Sequence, residues 1–296
     1  MAALVLWLPA ARAAPPMVTI AEGKSALVTG GSAYLPGAGV RLNPCDVVHT
    51  GPQSFVQVEF DDGGKIELGH DSRFVFELPQ GEESVVGPHF LISGWAKVTV
   101  PKRDKARPYR IDTPHFALLT EGGVAVLRVA DDGGEFFVEQ GGAFALVAAG
   151  ASVNRVAVAT GRTFSRKGAE RGTVTERANA AFVQGMPRPF RDSLPSLLPQ
   201  LKARDVPARR ANDYNPTEAE TWLKSVPGLR ACVGDVTVRH AQEALETRGF
   251  PVGPIDGIVG RRTQAALRAY QQQRGLTPSG RLDADTLRSL DIAERR

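Results

Sequence analysis

The chain has 296 residues, of which 42% are hydrophobic and 23% charged, a composition that excludes wholesale disorder. Its length is too great for one small core and suits two domains. The formal net charge of +4 is unevenly distributed, because 18 Lys/Arg and 13 Asp/Glu follow from Met186 onward, against 18 and 19 before it. The basic residues stand singly or in pairs rather than in long runs, which argues against nucleic acid as a partner.

The N-terminal residues carry a pattern typical of export. Ala2–Pro9 is apolar, and Ala11-Arg12-Ala13 is a small-x-small cleavage signature, so residues 1–13 resemble the end of a secretory signal peptide. The basic segment that normally comes first is missing. This leaves two interpretations, a start codon placed too late or a buried N-terminal segment. No other apolar run approaches the roughly 20 residues that span a bilayer. We therefore expect a soluble, periplasmic or otherwise exported protein without a transmembrane segment.

Residues 17–160 are predicted to form an all-β domain of repeated hairpins, arranged as a sandwich or a solenoid. Short runs alternate between apolar and polar side chains, and the alternation in Val56–Phe60 puts Val56, Val58 and Phe60 on one face. The tetrapeptide Asp-Asp-Gly-Gly occurs at residues 61–64 and again at 131–134, each time between apolar runs. Glycines at such positions supply the positive φ of tight hairpin turns. Two hairpins of one design are therefore expected.

The remaining residues predict a joint and a small all-α domain. Residues 161–235 include four prolines between Met186 and Leu201 and indicate a partly helical linker. Residues 236–292 predict three helices, which together can form only a minimal core. Gly249 and Gly275 follow the first two helices, and Asp283 precedes the third as its N-cap. The predicted helices are Val236–Arg248, Arg261–Arg274 and Ala284–Ile292.

A spaced motif in residues 236–291 closely resembles the peptidoglycan-binding domain 1 family. An Asp-Gly-x-x-Gly loop is followed by a threonine and then by an aromatic-Gln pair, and glycines and leucines continue the pattern. The resemblance implies a three-helix fold and peptidoglycan as the partner. It is carried by Val238, Gln242, Leu245, Gly249-Phe250, Ile255–Gly260, Thr263, Ala266-Leu267, Tyr270-Gln271, Gly275-Leu276, Gly280, Leu282-Asp283, Thr286 and Leu290.

Ligand contact in this segment is predicted at polar residues beside the loop. Arg261, Arg262 and Gln271 are the first candidates. Tyr270 could stack on a sugar or fill the core, and Asp256 could contact a ligand or accept N–H groups of its own loop. The other motif residues are assigned to the architecture, with glycines at turns and helix ends and a threonine capping the second helix. They are Gly257, Gly260, Thr263 and Gly275.

A second resemblance, to the FecR domain family, covers about residues 46–147. It implies the periplasmic β-domain of that family. Signalling members of the family act through a membrane span and a cytoplasmic segment, which this sequence lacks, so the resemblance implies the β-domain reused for another purpose. Gly122–Val126 departs from the Gly-Thr-x-Phe run that the family often has. The features that carry it are Thr50–Ser54, Phe60–Gly64, Leu68–Arg73, Gly94–Val98 and Asp112–Pro114.

The cysteines and histidines indicate no catalytic chemistry. Cys45 and Cys232 stand one in each half, and they form either a disulfide between the domains or two separate buried thiols. The five histidines show no metal-ligand spacing, and no nucleophile motif occurs. We therefore predict no enzyme, no metal and no cofactor.

Three functions fit these observations. The first is an exported envelope protein that binds peptidoglycan through the helical module and presents the β-domain to another envelope protein. The second is a periplasmic FecR-type signalling regulator that acts with a partner carrying the membrane span. The third is a cell-wall hydrolase, or an accessory or targeting subunit of one, with the helical module as its targeting unit. The first is favoured because it needs nothing that the sequence lacks.

Overall fold

A computed structural model describes residues 14–29, 32–78, 87–104, 108–150, 152–204, 206–211, 214, 221–224, 229, 232, 236–253, 255 and 257–292. The predicted signal peptide, residues 1–13, lies outside the described residues. Within the described ranges, none of the helices combines the length and the apolar character that a membrane crossing requires.

The N-terminal region is all-β, as predicted, and continues beyond residue 160. Fifteen strands among the described residues join one hydrogen-bonded sheet. They are β1 Met17–Glu22, β2 Ser25–Thr29, β3 Ser32–Leu35, β4 Val47–Thr50, β5 Phe55–Glu59, β6 Lys65–Leu68, β7 Arg73–Val75, β8 His89–Val100, β9 Tyr109–Asp112, β10 Ala117–Ala130, β11 Gly133–Ala149, β12 Ser152–Ala159, β13 Thr163–Lys167, β14 Thr173–Thr175 and β15 Arg209–Arg210.

The sheet folds over itself into two layers because three long strands belong to both. Layer A runs β15-β3-β2-β4-β7, then the first half of β8, β9, the first half of β10, the second half of β11, and β12. Layer B runs β1-β5-β6, then the second half of β8, the second half of β10, the first half of β11, β13 and β14. The fold is therefore a sandwich with shared strands.

Glycines stand where β8 and β10 pass between the layers. Gly94 in β8 has φ +89°, and a Cβ there would lie 2.4 Å from the Cα of Ser72. In β10, Gly123 has φ +125°, and a Cβ would lie 2.1 Å from the carbonyl oxygen of Gln140. No other residue type fits such contacts without moving the backbone. The departure from the FecR pattern at Gly122–Val126 therefore lies at a crossing point.

Alternating side chains fill the space between the layers, as the sequence predicted. Val56, Val58 and Ile66 of layer B are buried in the main core, together with Phe74 and Leu118 of layer A.

The hairpin at 61–64 joins β5 to β6, and Gly63 takes a positive φ of 85°. The second hairpin differs from the expected repeat, since the two-residue turn Asp131-Asp132 joins β10 to β11 and Gly133 already belongs to the strand.

Several described parts of the predicted linker, 161–235, pack against the sandwich. Besides β13 and β14, it contains α1 Ala180–Gly185, a 3₁₀ turn Arg188–Arg191, α2 Leu198–Leu201, and β15, which pairs with β3. Phe182 and Phe190 insert against Phe55 and Trp95 on the outer face of layer B. Further along, Leu223, Leu229 and Cys232 pack on the outer face of layer A. This segment therefore covers both outer faces in part.

The C-terminal module has the three predicted helices. They are α3 Val236–Thr247, α4 Arg261–Gln273 and α5 Ala284–Ser289. Gly249 and Gly275 take positive φ values of 84° and 69° after the first two helices. The Asp283 side chain accepts the hydroxyl of Thr286 at 2.6 Å and the backbone N–H of Thr286 at 2.9 Å, so it caps the third helix, and these hydrogen bonds lower the pKa of Asp283. Only the last helix is clearly shorter than predicted.

Candidate functional site

Tyr270 lies at the centre of the helical module. Its side chain is fully buried among Leu245, Leu267 and Leu290, and its ring meets that of Phe250 edge to face at 5.4 Å. Its hydroxyl donates to the carbonyl oxygen of Ser289 at 2.7 Å. The prediction that Tyr270 could stack on a sugar is therefore wrong, because both its ring and its hydroxyl are used inside the core.

Gln271 is also buried, and it clamps the loop between α4 and α5. Its Nε2 donates to the carbonyl oxygen of Arg281 at 2.8 Å and to Oγ1 of Thr286 at 2.9 Å. Its Oε1 accepts the backbone N–H of Gly280 at 2.8 Å. The prediction that Gln271 contacts a ligand is corrected, because these bonds use both ends of an amide that is 0% exposed.

Gln242 of α3 makes the same set of hydrogen bonds to the loop between α3 and α4. Its Oε1 accepts the N–H of Gly257 at 2.7 Å, and its Nε2 donates to the carbonyl oxygen of Ile258 and to Oγ1 of Thr263, both at 3.1 Å. Each glutamine thus holds a glycine, the next residue's carbonyl group, and a threonine six residues after the glycine. The module contains two copies of one loop clamp.

Two structural roles that were predicted from the sequence, those of Thr263 and Gly260, differ in the structure. Thr263 was expected to cap α4, but its hydroxyl accepts from Gln242 and donates to the carbonyl oxygen of Ile258 at 3.4 Å. Gly260 is the N-cap residue, with φ −76° and open space around its Cβ position, so its backbone does not require glycine. Gly257, with φ +73°, does occupy the left-handed region, as expected.

Exposed side chains lie beside the first loop among the residues that the structure describes. Arg261 and Arg262 begin α4 and are exposed, and Ile258 before them is 37% exposed. The side chain of Arg262 lies against Gly253, where an added Cβ would be 3.0 Å from Cδ of Arg262. We call Ile258, Arg261 and Arg262 the loop face. The fifth predicted ligand residue, Asp256, lies outside the described residues.

Two family models match the chain. Residues 235–290 match the family described as "Putative peptidoglycan binding domain". Residues 46–163 match the family described as "FecR protein". The chain contains a FecR domain followed by a peptidoglycan-binding domain. Both domains and their order were predicted from the sequence, so that resemblance is confirmed.

The chain is also similar to part of a curated protein. It is 28% identical to "Localization factor PodJL" of Caulobacter vibrioides over 122 residues, which are 41% of this chain and 12% of PodJL. The chain thus matches about an eighth of that relative's length. Two crystal structures of "a putative anti-sigma factor" from Parabacteroides distasonis cover 47% of this chain and 62% of theirs, with TM-scores of 0.36 and identities of 17% and 16%.

Two side chains of the FecR domain, His89 and Tyr109, have strongly shifted pKa values because of their position in the core. His89 is buried among the rings of Phe60, Phe76 and Tyr109, and burial lowers its pKa to about 3. Burial also raises the pKa of Tyr109 above its ordinary range. Within the described ranges, no three His, Cys, Asp or Glu side chains are grouped to hold a metal ion. These surroundings indicate core packing at this position.

Cys45 and Cys232 form a disulfide in the structure, with their Cα atoms 5.3 Å apart. The bond joins the loop before β4 to the end of the packed linker segment. It lies in a cluster with Val28, Val47 and Leu229 on the outer face of layer A. Of the two arrangements that the sequence left open, the structure has the bonded one, and it attaches the chain just ahead of α3.

Sequence reasoning missed the glutamine clamps, although a signal for them exists. The peptidoglycan-binding domain repeats glycine, threonine and leucine with spacings of six and four residues. The first copy is Gly257, Thr263 and Leu267, and the second is Gly280, Thr286 and Leu290. A search for a short internal repeat would have found both loops. It would not have aligned the glutamines, because Gln242 precedes its glycine by 15 residues and Gln271 precedes its glycine by nine.

Proposed function

We propose that this is an exported, non-catalytic protein of the bacterial envelope that binds peptidoglycan through residues 236–292. The FecR domain serves as a scaffold or binding surface for another envelope protein. The observation that supports this most is the match of residues 235–290 to a peptidoglycan-binding family. The FecR match and the absence of catalytic motifs in the sequence favour binding over chemistry.

The loop face is the surface we assign to the ligand. Peptidoglycan combines sugars with short peptides that carry carboxylates, and an arginine guanidinium can hold a carboxylate through two parallel hydrogen bonds. Arg261 and Arg262 are exposed and adjacent, and Ile258 offers apolar contact beside them. The loop face therefore suits an anionic stem peptide.

The internal repeat gives a reason to prefer the first loop. At the positions that correspond to Arg261 and Arg262, the second copy has Ala284 and Asp285. Asp285 is paired with Arg288, so this loop is not basic in the same way. The two loops are held by the same kind of clamp but differ in their exposed charge. Folding of the loop therefore does not require the two arginines, and their charge can serve ligand binding.

The disulfide leaves only a short length of chain between the FecR domain and the peptidoglycan-binding domain. Three residues separate Cys232 from Val236, the first residue of α3. Four extended residue steps span at most about 14 Å, so the module stays close to its point of attachment. A load on the peptidoglycan-binding domain is therefore transmitted to the sandwich through the disulfide.

Export is supported by the sequence of residues 1–13 and by the disulfide. The apolar run and the small-x-small signature resemble a signal peptide. Disulfides persist mainly in oxidising compartments such as the periplasm. We therefore propose that residues 1–13 are removed on export and that the protein acts in the periplasm or an equivalent compartment.

Charge reversal on the loop face tests the ligand assignment. We expect Arg261→Glu with Arg262→Glu, in the full chain, to weaken binding to purified sacculi. Charge-assisted hydrogen bonds contribute about 1.5–3 kcal/mol each, so the apparent affinity should fall at least about tenfold. Co-sedimentation over a range of sacculus concentrations measures it.

The matched control reverses two arginines of the second repeat, Arg281 and Arg288, which are also exposed. This control changes the net charge equally and should leave binding within about twofold, since exposed ion pairs contribute little. Equal losses in both variants would mean that net charge, and not the loop face, determines binding. Unchanged binding in both would place the ligand elsewhere.

The match to the FecR family favours a second candidate function, a regulatory one. In it, the FecR domain contacts a partner that spans the membrane, and the peptidoglycan-binding domain fixes the position of the complex. Site-directed photo-crosslinking from the outer face of layer A in cells distinguishes the two. A crosslinked membrane protein would support regulation, and crosslinks confined to soluble envelope proteins would support the scaffold.

A further inference from the structure

A row of polar side chains is buried on the outer face of layer B. In β5, the side chain of Gln57 is 0% exposed, and in β6 its direct cross-strand partner Glu67 is 4% exposed. Lys97 of β8 is the next residue across the sheet from Glu67. Buried polar groups are costly unless they are hydrogen-bonded, so the cover over this row matters.

The cover is residues 180–201 of the former linker, which we call the strap. Glu59 of β5 accepts a hydrogen bond from Ser196 Oγ and another from the backbone N–H of Leu197 at 2.9 Å. Lys65 Nζ donates to the carbonyl oxygen of Leu194 at 2.8 Å, and Lys97 Nζ donates to that of Phe190 at 2.5 Å. Charged side chains of the sheet therefore bind the strap, in addition to the apolar packing of Phe182 and Phe190.

Two acceptors on directly paired residues beneath the strap lack a donor. Gln57 Nε2 donates to Thr19 Oγ1 at 3.1 Å and to Glu59 Oε1 at 2.9 Å, so the amide orientation is fixed by its donors. Among the described residues, neither Gln57 Oε1 nor Glu67 Oε1 has a hydrogen-bond partner. Directly opposed residues in an antiparallel pair have Cβ atoms about 4.5–5.5 Å apart. A proton on Glu67 would supply the donor that both oxygens lack.

We propose that the seam between strap and sheet is a proton-sensitive latch. It is closed when Glu67 is protonated and donates to Gln57 Oε1. It loosens when Glu67 loses that proton, because a carboxylate then faces the carbonyl oxygen of Gln57 in a buried site. The strap is released from layer B, and the outer face bearing Trp95 and Phe55 becomes accessible.

The charges around Glu67 fit this behaviour. Burial is the largest influence and raises the pKa of Glu67 from 4.5 to about 7, with Glu139 of β11 and Glu59 of β5 acting in the same direction. Lys97 of β8 and Lys65 of β6 act against it. Lys97 is itself paired with Glu139 at 3.0 Å and bonded to the strap. The strap contributes carbonyl oxygens and the groups that bind Glu59.

The sign of the pH effect follows from the raised pKa. The closed form holds its proton up to about pH 7, whereas an exposed glutamate loses it near pH 4.5. The closed latch therefore has its full stability below about pH 4.5 and loses stability as the pH rises through 7. From these two values, the opening equilibrium should rise on the order of 50-fold between pH 5 and pH 8.

Hydrogen exchange on the full chain tests the latch. The amide of Leu197, which donates to Glu59, reports opening of the strap, and amides of β10 report the sandwich core. After correction for intrinsic exchange rates, we expect opening at Leu197 to increase with pH as stated, and the β10 amides to change much less. Equal changes at both places would indicate global unfolding and would overturn the proposal.

Substitutions identify the titrating group. Glu67→Gln keeps a donor for Gln57 but cannot ionise, so opening at Leu197 should become nearly independent of pH. Glu139→Gln, the matched control, should shift the midpoint and keep the pH dependence. A Glu67→Gln variant with the original profile would overturn the proposal. The carboxyl ¹³C shift of Glu67 in the unmodified protein gives a second measurement, and a titration midpoint below about pH 5 would also overturn it.

Discussion

Replacement of Gln271 by alanine is expected to unfold most of the peptidoglycan-binding domain. The substitution leaves the N–H of Gly280 and the carbonyl group of Arg281 without the amide that serves them, while the hydroxyl of Thr286 keeps its hydrogen bond to Oδ1 of Asp283. Each buried polar group left unsatisfied costs about 1–3 kcal/mol. A domain of this size has only about 3–8 kcal/mol of stability, so the loss consumes most of it.

The measurement is heteronuclear NMR of the full chain. In Gln271→Ala, the amide resonances of Gly257, Gly275 and Gly280 should collapse to unfolded positions, while those of the FecR domain keep their dispersion. Gln272→Ala is the control on the same helix, because Gln272 is exposed and should change stability by less than about 0.5 kcal/mol. Dispersed module resonances in Gln271→Ala would show that the clamp does not hold the second loop.

Removal of the Cys45–Cys232 bond should destabilise the packed linker and the sandwich together. The two cysteines are 187 residues apart in sequence, so the bond closes a long loop and restricts the unfolded chain strongly. Loss of a native disulfide typically costs about 2–5 kcal/mol. Packing of Leu223 and Leu229 against Val75 and pairing of β15 with β3 keep part of the attachment, so the cost should lie within that range.

Denaturant unfolding of Cys45→Ala with Cys232→Ala, compared with the unmodified protein, measures this cost. The reduced unmodified protein should unfold at nearly the same denaturant concentration as the double variant, and a reductant should leave the double variant unchanged. These paired controls separate the bond from the side chains. Two thiols that react with a thiol reagent in the unreduced, denatured protein would contradict the disulfide.

Local patterns predict the parts of this fold that depend on local physics. Alternation assigns Val56 and Val58 to the interior because a strand turns successive side chains to opposite faces. Glycine and aspartate at helix ends predict the helices of the module, since Gly249 and Gly275 need positive φ and Asp283 supplies an N-cap acceptor. These signals need no knowledge of distant residues.

The strap could not be predicted because its partners lie far away in sequence. Four prolines among leucines indicate a linker, yet Phe190 is fully buried. Its burial depends on Phe55 and Trp95 pointing outward from layer B, which follows from the pairing of β5, β6 and β8. The polar partners of the strap, Glu59 and Lys97, read as ordinary solvent-facing residues of alternating strands. Only the three-dimensional arrangement shows that they are covered.

The candidate site was half predictable for a similar reason. Helical spacing makes Tyr270 equally suitable for a core or a surface, and Gln271 next to it reads as polar and exposed. The structure places both inside because the second loop folds back over α4 and presents its backbone to the amide of Gln271. Arg261 and Arg262 follow a glycine at the start of the same helix and remain exposed. The distance between helix and loop decides whether Tyr270 and Gln271 are buried, and sequence alone does not give that distance.

The central claim is that residues 236–292 bind peptidoglycan, and sedimentation with purified sacculi tests it most directly. The full chain is compared with a chain that ends after Gly234, which keeps Cys232 and therefore the disulfide. We expect the full chain to pellet in proportion to the sacculi added and the shortened chain to stay in the supernatant. Equal pelleting of the two would contradict the claim and would assign any binding to the FecR domain or the strap.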